Sequence, residues 1–306
     1  MPEYQHCGLY FTEEQIQAAH ANRDREPLQQ AWAVLLQSEP TGWLAAIQWD
    51  GLRYRLNEDL AAGERAVQAL TMVDFTFPAA ATFDKLARLL ALAQSYELVR
   101  SHPAFGPEAQ LRWQQEFAVG VKALNAVRDE LAYVDRLWLA ALKIAGAIVL
   151  ERDDWFDQGA ECYRQIVRDD IRPEGYLPPA VSGGDAGSLS RQLLAVAALA
   201  LAAEMAAHVG VDLWGYMSRG VSLNTACTYL VFYYYYPEKW RWGQITEAEA
   251  SLLFQQHGGF LEMVYRRTGA KDMRLLLDNL RPIYDLVGGG LTTLTHSVPT
   301  RRRLFR

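Results

Sequence analysis

Cysteine is scarce in this 306-residue chain, and the three present, Cys7, Cys162 and Cys227, are far apart. An odd, scattered set excludes a disulfide framework and a zinc knuckle, and it fits a reducing compartment. The N-terminus has no positive segment followed by an apolar one. The chain therefore reads as a form without a secretory signal, and its expected location is cytoplasmic. A basic footprint is missing too: the net charge is -6, and only Arg301, Arg302, Arg303 and Arg306 cluster at one place. Four arginines at a terminus read as a solvated tail, so no nucleic-acid partner is expected. The most apolar stretch, 189–207, is broken by Arg191, Gln192 and Glu204. It reads as a buried core helix, and no membrane partner is expected.

Signatures of the commoner catalytic centres are equally lacking. The six histidines include no His-Glu-x-x-His and no i, i+4 pair, which leaves no zinc site. No Gly-x-Ser-x-Gly elbow occurs. Gly183, Gly184 and Gly187 lack the Gly-Lys-Ser/Thr ending of a phosphate loop and follow no strand. No cofactor is expected.

What the chain does have is helical periodicity. Leu86, Leu89, Leu90, Ala93 and Leu98 follow the i, i+3, i+4 spacing of one buried stripe, and Trp113, Phe117, Val121 and Leu124 repeat it. The stretches 137–150 and 193–207 are apolar on nearly every face, as helices are when neighbours surround them. Thr12, followed by Glu13, Glu14 and Gln15, predicts a capped first helix, and Gly288, Gly289 and Gly290 predict the end of the last clear one. Hardly any segment alternates with period two, and no long linker divides the chain. The expected fold is all-α, one domain over residues 1–306.

Three segments stand out as candidate functional elements. The longest irregular stretch, 171–188, is the first candidate for a site wall. The run Asp153-Asp154-Trp155-Phe156-Asp157 matches the aspartate-rich signature of terpene synthases, yet its position after an apolar helix predicts a helix start, where carboxylates meet free N–H groups. The run from Phe232 to Tyr236, continued by Trp240 and Trp242, cannot turn every ring to the core. Either some rings line a cavity, where aromatic faces stack on sugars, or they close a helix end packed between neighbours.

Several of these pieces together resemble the alginate lyase family. They are Leu9-Tyr10-Phe11-Thr12-Glu13-Glu14, the loop Pro173-Glu174-Gly175-Tyr176-Leu177-Pro178, the following Ser190-Arg191-Gln192, Ala203-Glu204, and Gly210-Val211-Asp212-Leu213-Trp214 with Gly220 beyond. The resemblance covers residues 80–245 and implies an incomplete (α/α) toroid of antiparallel helix pairs around a cleft for an acidic oligosaccharide or polysaccharide. It also implies β-elimination at a uronate, in which the substrate carboxylate is neutralised, a base removes the adjacent proton and an acid protonates the leaving oxygen. Arg191 occupies the position of the family's arginine. The family's Asn-Asn-His stretch falls on 131–138, where no such triplet occurs, and its tyrosine falls on Ala198 or a neighbouring alanine or leucine, none a proton donor. Tyr133 and Tyr176 are then the candidate acid and base beside Arg191, on the expectation that a nearby arginine lowers a tyrosine pKa. Asp135, Gln192, Glu174, Tyr236 and Trp240 are the candidate substrate-binding residues. Two alternatives stay open: a glycan-binding or scaffold protein without catalysis, and a glycoside hydrolase using Asp135, Glu174 or Asp185. Asp135 could equally be a structural charge paired with Arg136 or Arg191.

Overall fold

The computed structural model describes residues 2–77, 80–185 and 187–300. Local chemistry starts the first helices as the sequence predicts. At α1 (Glu13–Ala21) the Thr12 side chain accepts from the Gln15 N–H while the Gln15 side chain accepts from the Thr12 N–H, a reciprocal capping box. α2 (Leu28–Gln37), α3 (Trp43–Asn57) and α4 (Leu60–Thr71) follow, the last capped by Asp59.

Next come α5 (Thr82–Val99), α6 (Pro107–Ala126), α7 (Tyr133–Leu150), α8 (Asp153–Asp169), the short α9 (Pro178–Val181) and α10 (Ser188–His208). In α5, α7 and α10 two thirds or more of the residues are buried, whereas α6 buries only Trp113, Phe117, Val121 and Leu124. That difference sorts the helices into two rings. α3, α5, α7 and α10 pack side by side as inner helices, while α4, α6 and α8 return along the outside. The apolar-all-round stretches are inner helices because they have neighbours on every side. α10 is long and apolar enough to cross a membrane, but 83% of its apolar window is buried inside the protein. The core-helix reading fits that burial.

The remainder is α11 (Leu223–Tyr235), α12 (Glu247–His257), α13 (Phe260–Thr268), α14 (Lys271–Leu280) and α15 (Thr292–His296), with one two-stranded hairpin, β1 (Met217–Ser218) against β2 (Val221–Ser222). α15 packs on α1, α2 and α13, drawing the two ends of the chain together. The architecture is all-α, an incomplete (α/α) toroid.

Two expectations need correction. The loop 171–188 is not wholly irregular: Pro178 and Pro179 open α9, because proline's fixed φ suits a first helical turn. Gly288, Gly289 and Gly290 do not end a helix. α14 already stops at Leu280, before Pro282, and the glycines form a turn closed by mutual backbone bonds of Asp285 and Gly290. The Asp285 carboxylate accepts from the N–H groups of Gly288 (2.8 Å) and Gly259 (3.4 Å) across that turn.

Because each inner helix is followed by an outer helix that returns along it, the N-terminal ends of α3, α5, α7 and α10 share one end of the toroid, here called the mouth. The opposite end is crossed by the N-terminal segment. Tyr4 donates to Asp153 at 2.8 Å, His6 meets Glu97 and Glu151, and the Leu9 carbonyl meets His208 Nδ1 at 2.9 Å. Asp154 pairs with Arg152. The aspartates of 153–157 thus open α8, as their position predicts, and two of them are taken up by neighbouring side chains.

Candidate glycan site

The mouth is held in register by side chains of its own inner helices. Phe83 meets Trp138 edge-on at 5.3 Å, and the Trp138 indole N–H donates to the Leu194 carbonyl at 3.1 Å. That bond sets Asp135 on α7, about one turn before Trp138, level with Arg191 on α10.

Arg191 spends its guanidinium on the chain itself. Nε donates to the Ala180 carbonyl (2.9 Å), Nη2 to the Ser182 carbonyl (3.0 Å), and Nη1 lies 3.0 Å from Asp185. These bonds fasten the loop 180–185 to the start of α10. Every nitrogen is committed, so the side chain offers a substrate carboxylate no unused fork. The same contact engages Asp185. Tyr133 donates to Asp170 at 2.7 Å. Burial, then the charge and hydrogen bond of Asp170, push the Tyr133 phenol up, and Arg136 only partly opposes them. The expected lowering of its pKa is overturned, because burial and, after it, the Asp170 carboxylate outweigh the arginine. Ala198 is fully buried in α10.

Asp135 has neither of the partners foreseen for it: among the described residues it makes no hydrogen bond or ion pair. It is half-buried, and burial raises its pKa. Glu174 is exposed on the loop. Gln192, by contrast, is a fully buried clamp, accepting from the Leu177 N–H (3.0 Å) and donating to the Gly175 carbonyl (3.2 Å). It fixes the turn that presents Tyr176. Replacing Gln192 by leucine keeps the volume and leaves both backbone groups unpaired, so stability should fall by about 1–3 kcal/mol. Urea unfolding checks this, and an unchanged midpoint would refute the clamp.

Tyr176 belongs to an aromatic cluster that the loop shares with α11 and the segment after it. Its ring lies 4.7 Å from Trp242 and 6.1 Å from Tyr229; Tyr229 lies 4.8 Å from Tyr233, which meets Trp240 edge-on at 4.8 Å. Trp240 is buried and donates to Ser188 Oγ at 2.7 Å, so it anchors the cluster to the start of α10. Tyr236 is exposed, with Lys239 Nζ 4.4 Å from its ring centre. Phe232, Tyr235 and Tyr236 are the rings turned outward, while Tyr229 and Tyr233 turn in.

The exposed Arg241 completes the cluster. Its guanidinium stands 5.0 Å from the Trp242 ring centre and 6.0 Å from that of Tyr176. Beneath it, the buried Tyr229 hydroxyl has no hydrogen-bond partner of good geometry. Burial, then the adjacent Tyr233 hydroxyl, push the Tyr229 pKa up, and Arg241 works against the rise. The sequence reading placed Trp242 in the aromatic run without naming it a site residue, and it missed Tyr229 and Arg241. The signal was the Trp-Arg-Trp triplet at 240–242, an arginine between two flat rings.

Known proteins place this arrangement. The alginate lyase family profile matches residues 43–240. An alginate lyase A1-III variant complexed with tetrasaccharide is similar at 18% identity, with TM-score 0.67, over 85% of this chain and 76% of that one. Alginate lyase A1-III from Sphingomonas species A1 gives 17% identity and TM-score 0.67, over 86% and 82%. An alginate lyase from Bacteroides ovatus gives 13% and 0.69, over 94% and 98%. No curated protein matches the sequence. With the profile spanning about two thirds of its length, the chain belongs to the alginate lyase family.

Proposed function

We propose that this protein binds a uronate-containing oligosaccharide at the mouth of the toroid, on the platform of Tyr176, Trp242 and Arg241. The observation that carries the reading is the exposed Arg241 guanidinium, without a carboxylate partner among the described residues, held over two aromatic faces. A sugar ring stacks on an aromatic face through its C–H groups, and a guanidinium pairs with a carboxylate through two parallel N–H bonds. A uronate carries both features. The tetrasaccharide complex of alginate lyase A1-III supports the choice of ligand class, since a protein of this family and fold is seen with an oligosaccharide.

Calorimetric titration with alginate oligosaccharides tests the reading. A hydrogen bond to a charged group is worth about 1.5–3 kcal/mol, so Arg241→Ala should weaken binding about 10- to 100-fold. A neutral oligosaccharide of equal length should bind the native protein about as weakly as the uronate binds the variant. Equal affinities for native protein and variant would sink the proposal.

Asp135 favours a second reading, β-elimination at the bound uronate. A half-buried carboxyl with no partner among the described residues, whose pKa is raised by burial, suits proton abstraction better than a paired one. Arg241 would neutralise the substrate carboxylate in place of Arg191. Ultraviolet absorbance of an unsaturated uronate, growing with the native protein and lost in Asp135→Asn, is the expected outcome. If no absorbance develops with any polyuronate, binding without cleavage is what remains.

A further inference from the structure

On α7 the positions Arg136, Leu139 and Lys143 share one face, turned about 100° from Asp135. That face meets Gln158, Cys162 and Gln165 of α8, and a cavity of about 590 Å³ opens between the two helices, with Arg128 at its edge. The cavity lies on the flank of the toroid, between an inner and an outer helix, and shares no lining residue with the Arg241 platform.

Lys143 is 8% exposed, and its ammonium donates to the Gln158 side-chain oxygen at 2.9 Å. That partner is neutral, and a buried charge is costly without a counter-charge. Glu97, Glu204 and Glu262, buried to a similar degree, each hold an arginine. Lys143 forms no ion pair among the described residues. The charge beside it is a like one: burial, then Arg128, pull the amine below the ordinary lysine value. Arg136 is exposed, with its guanidinium 5.9 Å from the Tyr133 ring centre, and it makes no hydrogen bond or ion pair among the described residues. Three carboxylates also line the cavity, but they are drawn elsewhere. Asp129 pairs with Arg128 at 3.4 Å, and Glu161 faces Arg164 and Arg168 at 3.7 and 3.9 Å. Asp157 lies towards Tyr4, whose pKa it helps to raise.

We infer that this cavity binds a phosphate monoester, with Lys143 and Arg136 on the phosphate and the amides of Gln158 and Gln165 on the body that carries it. The two cations start about 10 Å apart along α7. Helical side chains lean towards the N-terminus, which carries the Lys143 amine towards Arg136. A phosphate monoester brings nearly two negative charges and three acceptor oxygens, enough to serve both cations at once, whereas a carboxylate brings one charge. The cavity is larger than a bare phosphate and within the range of small-molecule sites, so a short polar body fits beside the charged group.

The test is calorimetric titration with glycerol phosphate, inorganic phosphate and acetate, using the native protein, Lys143→Met, Arg136→Gln and Arg241→Ala. The native protein should bind glycerol phosphate saturably and acetate at least 10-fold more weakly. Lys143→Met and Arg136→Gln should each weaken glycerol phosphate about 10- to 100-fold, the loss of one hydrogen bond to a charged group. Arg241→Ala should leave it unchanged. Arg136 is exposed, so its variant keeps the test decisive should Lys143→Met fail to fold. In the native protein, glycerol phosphate should also slow acylation of Lys143, followed by mass spectrometry, and spare the exposed Lys122. Absence of saturable phosphate binding, native affinity in Arg136→Gln, or equal binding of acetate overturns the inference. So does loss of phosphate binding in Arg241→Ala, which would move the anion to the platform.

Discussion

Replacing Glu204 by glutamine should lower the unfolding free energy by about 3–5 kcal/mol, the cost of removing one partner from a buried ion cluster. Glu204 sits near the end of the inner helix α10 and is almost wholly buried. One carboxylate oxygen meets His208 at 3.2 Å and lies 3.6 Å from His296; the other accepts from the Trp214 indole (2.9 Å) and from Arg267 Nη2 (2.8 Å) and Nε (3.0 Å). His208 also meets the Leu9 carbonyl and His296 the Tyr10 carbonyl. One carboxylate therefore ties the N-terminal segment, α10, α13 and α15 together. Burial would raise its pKa, but the hydrogen bonds and charges of His208 and His296 outweigh burial and hold it well below the usual carboxylate range. The sign follows from linkage. With the folded pKa depressed, the stabilisation is fully present above the unfolded value of about 4.3 and is lost as pH falls through the folded one. Guanidinium unfolding of the native protein should thus be insensitive to this group from pH 5 to 8 and weaken below about pH 4. The glutamine variant should start lower and lack that component of the acid slope. A native-like midpoint at pH 7 would show that the cluster is not what joins the two ends.

Glu204 also shows where a sequence stops being informative. Helix starts were legible because their causes are local: Thr12 and Gln15 are three residues apart, and α5 and α6 show their buried faces in spacing alone. The inner ring was legible because a helix surrounded by others is apolar all round. Of the partners of Glu204 only His208, four residues on in the same helix, stands at a readable spacing; the others come from positions 214, 267 and 296, and no spacing links them. Arg191 illustrates the other limit. Its position and charge suggest a substrate contact, but its bonding partners are carbonyls of residues 180 and 182, and every residue has a carbonyl. At the aromatic run, composition alone implied that some rings face outward. Which ones do so depends on α11 lying against the 171–177 turn. Trp240 was singled out and points inward, while Trp242, two residues on, forms the platform.

The turn that positions Tyr176 yields the other large expected effect. Gly175 has φ +108°, in the region that favours glycine, and it lies against α11. A Cβ added there would stand 2.5 Å from Tyr229 Cβ and 2.6 Å from the Thr225 carbonyl oxygen. Neither neighbour can rotate away, since one is helix backbone and the other is fixed to it. Strained φ costs about 1–3 kcal/mol, and overpacking a rigid contact adds about 1–3 kcal/mol, so Gly175→Ala should lose about 3 kcal/mol or more. The loop must then lift from α11, which strains the Gln192 clamp and draws Tyr176 off Trp242. Uronate binding should therefore fall at least 10-fold, even at temperatures where the variant is fully folded. Gly42 separates the two causes. It has φ +95°, yet an added Cβ would meet nothing within 4 Å, so Gly42→Ala carries the backbone strain without the collision. Urea unfolding should place Gly42→Ala between the native protein and Gly175→Ala, with binding at the Arg241 platform unaltered. If the two variants lose equal stability and both keep native affinity, close packing of the turn on α11 is not what holds Tyr176 in place.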